Sequence, residues 1–450
     1  MDDIIIQLHT LLATNKSLER LIIRILKNRN IAPSWKNKSI KDFLNFFEKW
    51  LYALINPNNP GFYFEKFYDL VTIKLGQKLL KNIFFMIWLV NFLNKRCAFL
   101  KSPASAKNMK LLVTFIPKHK EGMNMQMIPT TSDGGFGRKI NGDQYQKNII
   151  KKYKLYQKLI VKDKTFTYNL NKNIMTKIFN FYSFRDFFLR RYLPGTRPLG
   201  KKPKEWNNKV TFKKKNSIVS PADGTIQWLF KNVDLNHTFQ VKNELFSIKY
   251  DLIYNHKFLT KFIGGSMLNI LLWMTDYHHF HSPISGKVVE INDFNISNFA
   301  DLGKKVFEYA GPAPPIGKDI KWQKQLVKTY GNKINVNYNW FKNLSRHRRS
   351  VYIFNTNITN GSHIGLVIMM AIGYYGVGSI NTIIKTGDIV KRGQLIGNFD
   401  CGGSSIVLLF ERNKVNIGIP NIIPKFSTTH PQESSKWLPI NVRETIAIKK

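Results

Sequence analysis

The periodicity of the chain changes near residue 180, and that change limits the fold to one class. Over residues 8–27, 40–54, 62–80 and 144–159, apolar side chains recur every three or four positions, which puts them on one face of a helix. Beyond residue 211 the pattern becomes short β-branched and aromatic runs, at 224–230, 239–249, 287–291, 350–356 and 364–371, punctuated by Gly, Pro and Asn. Helices followed by strands predict an α+β chain: a helical N-terminal region, residues 1–180, and a β-rich domain, residues 181–450. At 450 residues, 43% of them apolar, the chain can bury two cores. Residues 126–142 read as a surface loop, and 293–338 is too irregular to place.

Within the β-rich part, Cys401-Gly402-Gly403-Ser404-Ser405 precedes an apolar run at 406–410 that reads as a strand. Two glycines let the backbone take strained conformations, so the Ser404 hydroxyl can reach back to the Gly403 carbonyl and turn the peptide bond into an ester. Elimination across Cα–Cβ of Ser404, then hydrolysis, would leave a pyruvoyl group at the head of a new C-terminal chain. Such a stretch is also common as a plain turn before a strand. The residues upstream weigh against the plain turn. SPADG at 220–224 brings the carboxylate of Asp223, and YHHFHSP at 277–283 brings His278, His279 and His281. Asp, His and Ser are the parts of a proton relay, recognised by geometry and not by order along the chain. Asp223 before a glycine also suits a turn cap. His278 and His281 have no carboxylate or thiolate nearby to complete a ligand set, so no metal is expected.

Taken together and in this order, the motifs resemble those of the phosphatidylserine decarboxylase proenzymes, pyruvoyl enzymes that cleave themselves at a Gly-Ser bond, including relatives with long N-terminal extensions. FRDFFLRR at 184–191 with PGTRP at 194–198 is similar to the family's opening motif. SPADG and YHHFHSP are similar to its aspartate and histidine motifs, and GVGSI at 376–380 with KRGQLIG at 391–397 to the segments leading into its cleavage site. The resemblance spans residues 181–412. It implies a pyruvoyl-dependent decarboxylase that converts phosphatidylserine to phosphatidylethanolamine after autocatalytic serinolysis between Gly403 and Ser404, leaving a small and a large chain of one precursor. It implies that His281, oriented by Asp223, deprotonates Ser404, and that the cut falls before Ser404 and not before Ser405. The cofactor would then be a pyruvoyl group derived from Ser404, forming a Schiff base with the substrate amine. His278 would return a proton after carbon dioxide leaves. Phe280 and Pro283 would serve packing. Some extended relatives decarboxylate free aromatic amino acids, so that substrate class stands beside the phospholipid. His347-Arg348-Arg349 stands where the family often has Asn-Glu-Arg, which leaves a third reading, an inactive membrane-associated relative.

The formal net charge of +41 calls for an anionic partner or a compositional cause, and heavy use of Asn, Ile and Lys supplies the latter equally well. Basic blocks at 151–154 and 213–215 suit an anionic phospholipid membrane. Zinc-finger spacing, a basic zipper and an RNA-recognition signature are lacking, so nucleic acid is not an expected partner. The apolar stretch at 83–93 falls short of the ~20 residues of a spanning helix; it reads as an interfacial helix or a core helix. Residues 364–380 read as two buried strands around a turn, and GYYGVG within them is no dinucleotide loop, since no helical pattern follows. Met1-Asp2-Asp3 is acidic, with no secretory or transit leader, so peripheral attachment to the cytoplasmic side of a membrane is expected. Two cysteines, Cys97 and Cys401, agree with a reducing compartment. A second copy of the chain, as a homodimer, is a further candidate partner.

Overall fold

A computed structural model of the chain describes residues 2–54, 62–71, 73–80, 82–106, 127–128, 183–189, 191–192, 197–204, 206–234, 238–241, 244–248, 258, 260–272, 276–294, 349–373, 379–400, 404–420 and 438–450. The expected helix at 144–159, the basic block at 151–154 and most of the expected loop at 126–142 lie outside these residues, as do Cys401 and Gly403.

The described N-terminal part is helical. Residues 8–27, expected as one helix, form two: α1 (Asp3–Thr14) and α2 (Lys16–Leu26). The break falls at Asn15, whose side chain accepts the Leu18 N–H and caps α2. α3 (Ile40–Leu51) starts on a capping box in which Ser39 and Asp42 satisfy each other's backbone N–H groups. The expected helix at 62–80 also divides, into α4 (Phe62–Val71) and α5 (Lys74–Leu80).

Residues 83–93 belong to a longer helix, α6 (Ile83–Leu100). Phe85, Trp88, Leu89, Phe92 and Leu93 follow the helical repeat and are buried, so that face is turned into the core, while Phe84 and Ile87 on the other side are half-buried. Trp88 packs edge-on against Phe47 at 4.8 Å and donates its indole N–H to the Ile4 carbonyl at 2.7 Å. Of the two expectations for this segment, the core helix is the one this packed face bears out. No helix among the described residues is long and apolar enough to cross a membrane.

Beyond residue 183 the chain is β-rich, and the α+β expectation is borne out. A short helix, α7 (Phe184–Phe188), is followed by β2 (Arg191–Tyr192), which pairs with β1 (Met127–Ile128), a strand inside the stretch expected as loop. Next come β3 (Ser217–Val219), β4 (Gly224–Val233), the hairpin β5 (Thr238–Val241) and β6 (Glu244–Ser247), β7 (Gly265–Leu272), β8 (His279–His281), β9 (Gly286–Phe294) and β10 (Arg349–Asn355). They are followed by β11 (Leu366–Ile372), β12 (Ser379–Thr382), β13 (Ile389–Val390), β14 (Leu395–Asp400), β15 (Ser404–Phe410), β16 (Val415–Ile417), β17 (Leu438–Ile440) and β18 (Thr445–Lys449). Eight strands form one sheet in the order β13-β9-β10-β11-β15-β7-β4-β17, with neighbours antiparallel throughout. A smaller sheet, β12-β14-β8, packs on it, and β16-β18-β3 forms another. The two strands expected in 364–380 therefore belong to different sheets: β11 sits in the large one and β12 in the small one.

Both faces of the large sheet are buried, which explains why its central strands read as unbroken apolar runs. In β15, Ile406, Leu408 and Phe410 join a core shared with Phe280, Ile396 and Phe399 of the small sheet. Val407 and Leu409 point the other way, into a core shared with Phe239 and Val241 of the β5–β6 hairpin.

Candidate functional site

Alternation along β15 decides which serine faces the histidines. Ser404 shares the parity of Ile406 and Leu408, so its side chain lies on the face covered by the small sheet that carries β8. Ser405 shares the parity of Val407 and Leu409 and faces the opposite core, where its buried hydroxyl makes no hydrogen bond among the described residues. Both serines are fully buried.

The chain reaches Ser404 from the small sheet. β14 lies beside β8, with Asn398 opposite His279 and Leu395 opposite His281, and the Phe399 N–H donates to the His278 carbonyl at 2.8 Å. β14 ends at Asp400, so the segment that precedes Ser404 starts next to the histidine strand. Asp223 stands at the same end of the large sheet. Ser404 pairs with Leu272 of β7, and Thr225 of β4 pairs with Leu271 on the other side of that strand. The start of β4 is thus two strands from Ser404, about 10 Å in backbone spacing.

Asp223 is fully buried and faces a fork. Arg197 approaches one carboxylate oxygen through Nε at 3.1 Å and the other through Nη2 at 2.9 Å, and the Val442 N–H donates at 2.7 Å. The PGTRP motif therefore contributes a guanidinium to the aspartate motif. His281 enters the same neighbourhood through its backbone N–H, which donates to the Pro221 carbonyl at 2.8 Å.

The ring of His281 is oriented by groups other than Asp223. Nδ1 lies 2.9 Å from the Gly393 carbonyl and Nε2 lies 3.0 Å from the Tyr277 hydroxyl. A carbonyl can only accept, so Nδ1 carries the proton and Nε2 holds the lone pair, accepting from Tyr277. Burial pushes the imidazole down to about 4, against the raising effects of the Gly393 carbonyl and, more weakly, of the Asp223 charge; Arg443 nearby pushes it further down. His281 is consequently neutral at neutral pH, with its basic nitrogen already defined. Asp223 acts on it through space, not as a hydrogen-bonding partner of the ring.

His278 is fully buried, stacked on Phe188 of α7 with ring centroids 3.6 Å apart, and its Nδ1 donates to the Asp276 carbonyl at 2.8 Å. His279 turns to a different partner, donating from Nε2 to the Leu189 carbonyl at 2.8 Å. Phe280 packs in the core, and the Pro283 carbonyl accepts the Val219 N–H at 3.0 Å. Of the segment at 347–349 only Arg349 is described; it is buried at the start of β10.

Several contributing residues escaped sequence reasoning. Arg197 and Arg185 lie inside recognised motifs, yet nothing in a motif says which acid each will meet. Arg185 of α7 meets Asp400, with Nε 2.9 and 2.8 Å from its two carboxylate oxygens. Gly393 has φ +76°, and a Cβ there would come within 2.6 Å of a Leu199 methyl, so the glycine is needed to aim its carbonyl at His281.

The assembly is thus a buried serine opening a central strand, with two imidazoles and a guanidinium-paired aspartate at the same end of the fold. Comparison with known proteins gives that class a family. The family model of phosphatidylserine decarboxylase matches residues 184–422. Among similar curated proteins, the phosphatidylserine decarboxylase proenzyme of Clostridium tetani is 28% identical over 260 residues, which cover 57% of this chain and 71% of the relative. Those of Clostridium kluyveri and Fusobacterium nucleatum are 29% and 31% identical, covering 56% and 53% of this chain and 69% and 63% of the relatives. The chain belongs to the phosphatidylserine decarboxylase family, a family of carboxy-lyases. The relatives named here are phospholipid decarboxylases, so the free-amino-acid reading is not the favoured one.

Proposed function

We propose that this protein decarboxylates phosphatidylserine to phosphatidylethanolamine, after cleaving itself between Gly403 and Ser404 and retaining a pyruvoyl group at position 404. The observation that carries the reading is the parity of β15, which aims Ser404, and not Ser405, at the face where the histidine sheet packs. The family membership and the order of its motifs along residues 184–422 support it.

The residues fit such a group. Ser404 is fully buried, so a reactive ketone there is shielded from water, and the carboxylate of Asp223 at the same end is matched by Arg197. In maturation, Ser404 Oγ attacks the Gly403 carbonyl, with its proton passing to the imidazole of His281, whose Nε2 holds the lone pair. Tyr277 shares that nitrogen and can hand the proton on. Asp223 stabilises the imidazolium that forms, through its charge. The pyruvoyl carbonyl, once present, supplies an electron sink for loss of carbon dioxide from an amine-bearing substrate. His278, whose Nδ1 donates to the Asp276 backbone carbonyl, holds a lone pair at Nε2, and this is the nitrogen that takes up a proton and then delivers it to the substrate. Membrane attachment is peripheral in this reading, and the division into an N-terminal helical region and a catalytic domain falls near residue 180.

The test is intact-mass spectrometry of the purified protein beside Ser404→Ala, each treated with a carbonyl-reactive reagent. The wild type should yield a C-terminal fragment that starts at position 404, is blocked at its N-terminus and takes up the reagent; the variant should stay whole. A wild-type chain that remains intact would end the self-processing reading.

A further inference from the structure

We propose that the turn joining β12 to β13, with the lysines around it, is the surface that docks the catalytic part on an anionic bilayer. Ile383 and Ile389 flank this turn and are 45% and 70% exposed. Single exposed apolar residues are ordinary on protein surfaces. These two lie on the two arms of one tight turn, in which the Lys385 N–H bonds the Asp388 carboxylate at 2.9 Å and the Asp388 N–H bonds the Lys385 carbonyl at 3.1 Å. Ile384 between them packs inward against the core, which fixes the turn to the body of the domain.

Charge surrounds the pair. Lys287 of β9 is exposed and directly opposite Ile389, and Lys385 and Lys391 are exposed on the turn and just beyond it. Arg392 extends the basic surface by donating from Nη1 to the carbonyls of Lys214 and Lys215 at 3.0 and 3.1 Å, so that lysine block is tied to the same edge. The acid within the turn, Asp388, is engaged by the Lys385 backbone. Two protruding aliphatic side chains inside a lysine rim suit a surface that is apolar below and negative at its boundary, which is an anionic lipid bilayer.

The surface adjoins the loop that orients His281. Residues 391–394 form the next turn, closed by the Gln394 N–H on the Lys391 carbonyl. Its Gly393 carbonyl holds His281 Nδ1. The outer side of this loop therefore carries part of the basic rim while its inner side orients the imidazole. Ser404 itself lies toward the other end of the large sheet, since Ile389 pairs with Lys287 and Lys287 with Asn355, whereas Ser405 pairs with Ile372 and Ile372 with Arg349. The link to the site rests on the decarboxylase reading; the docking itself does not.

The test uses the purified full chain and sedimentation with vesicles of phosphatidylcholine alone, or of phosphatidylcholine with phosphatidylglycerol, which is anionic but not the proposed substrate. Two variants are compared, Ile383→Ser/Ile389→Ser and Lys287→Glu/Lys385→Glu, neither touching His281, Asp223 or Ser404. The wild type should partition to the anionic vesicles, and less so at high salt. Each lysine near the surface contributes about fivefold, so the charge variant should bind more than tenfold more weakly, and the isoleucine variant should lose a comparable factor. Cleavage, and turnover of a short-chain soluble phosphatidylserine, should stay at wild-type levels in both, which also shows that they fold. Binding within twofold of wild type in both variants would overturn the docking surface while leaving the decarboxylase reading intact. Patch-dependent vesicle binding by a protein that never cleaves would uphold the surface and sink the decarboxylase reading. Retention on RNA but not on vesicles, lost in the same variants, would overturn the bilayer as partner.

Discussion

Arg185 of α7 and Asp400, the last residue of β14, form a buried ion pair in which one guanidinium nitrogen lies 2.9 and 2.8 Å from the two carboxylate oxygens. The contact joins residues 215 positions apart and lies four residues before Ser404, so it anchors the strand that leads toward Ser404. Around it the helical region reaches the same point. Lys101 Nζ is 3.7 Å from Asp400, and the Phe184 N–H donates to Ser105 Oγ at 2.9 Å. The N-terminal helices thus bear on the approach to Ser404.

Removing one partner of such a pair strands a buried charge. Arg185→Ala should therefore destabilise the uncleaved Ser404→Ala precursor by roughly 3–5 kcal/mol in urea unfolding. Lys101→Ala, whose ammonium is half exposed and farther away, should cost under about 1 kcal/mol. Exchanging the charges, Arg185→Asp with Asp400→Arg, should recover part of the loss.

Gly393→Ala tests the orientation of His281 from a distance. The added methyl meets Leu199 and the residue must hold φ +76°, so the turn should shift at a cost of about 1–2 kcal/mol. The Gly393 carbonyl then leaves His281 Nδ1, and cleavage measured by fragment appearance on denaturing gels should slow by at least about tenfold, a larger effect than the stability loss alone explains.

The two chains should stay together after cleavage. Residues 404–450 supply β15, which sits between β11 and β7 in the middle of the large sheet, and β17 at its edge, and they pair β18 with β3. The five apolar side chains of β15 are buried, worth roughly 2 kcal/mol each. Native mass spectrometry should show one complex of both fragments, separating only in denaturant.

Stability should fall in mild acid. His281 is held down at about 4 by burial, whereas an unfolded histidine titrates near 6.5. Between those values the unfolded chain binds the proton and the native one does not, so the contribution is complete above about pH 6.5 and is lost as pH falls toward 4. The full effect is on the order of 3 kcal/mol. Urea midpoints of the precursor should decline over this window, and His281→Gln should flatten the decline.

Much of this was legible without coordinates. The change of periodicity near residue 180 announced helices and then strands because side-chain spacing reports which face of an element is buried. The position of Asp223, His278, His281 and Ser404 in ordered motifs named the candidates. Finer readings failed where local pattern was ambiguous. A capping asparagine at position 15 is also an ordinary helix-surface residue, so one helix was expected where two exist. The apolar face of α6 could equally have met lipid or protein, and only the aromatic residues brought from α3 show that it meets protein.

The amino-acid order by itself determined the fold class, the family and the short list of candidate site residues, because each is written in neighbouring residues. Only the tertiary structure decided that Ser404 faces the histidine sheet while Ser405 does not, and that Gly393 and Tyr277 orient His281. It also decided that Arg197 and Arg185 match the charges of Asp223 and Asp400. Those relations join residues that are distant along the chain, and they depend on strand register, where a shift of one position would turn every side chain of β15 to the other face.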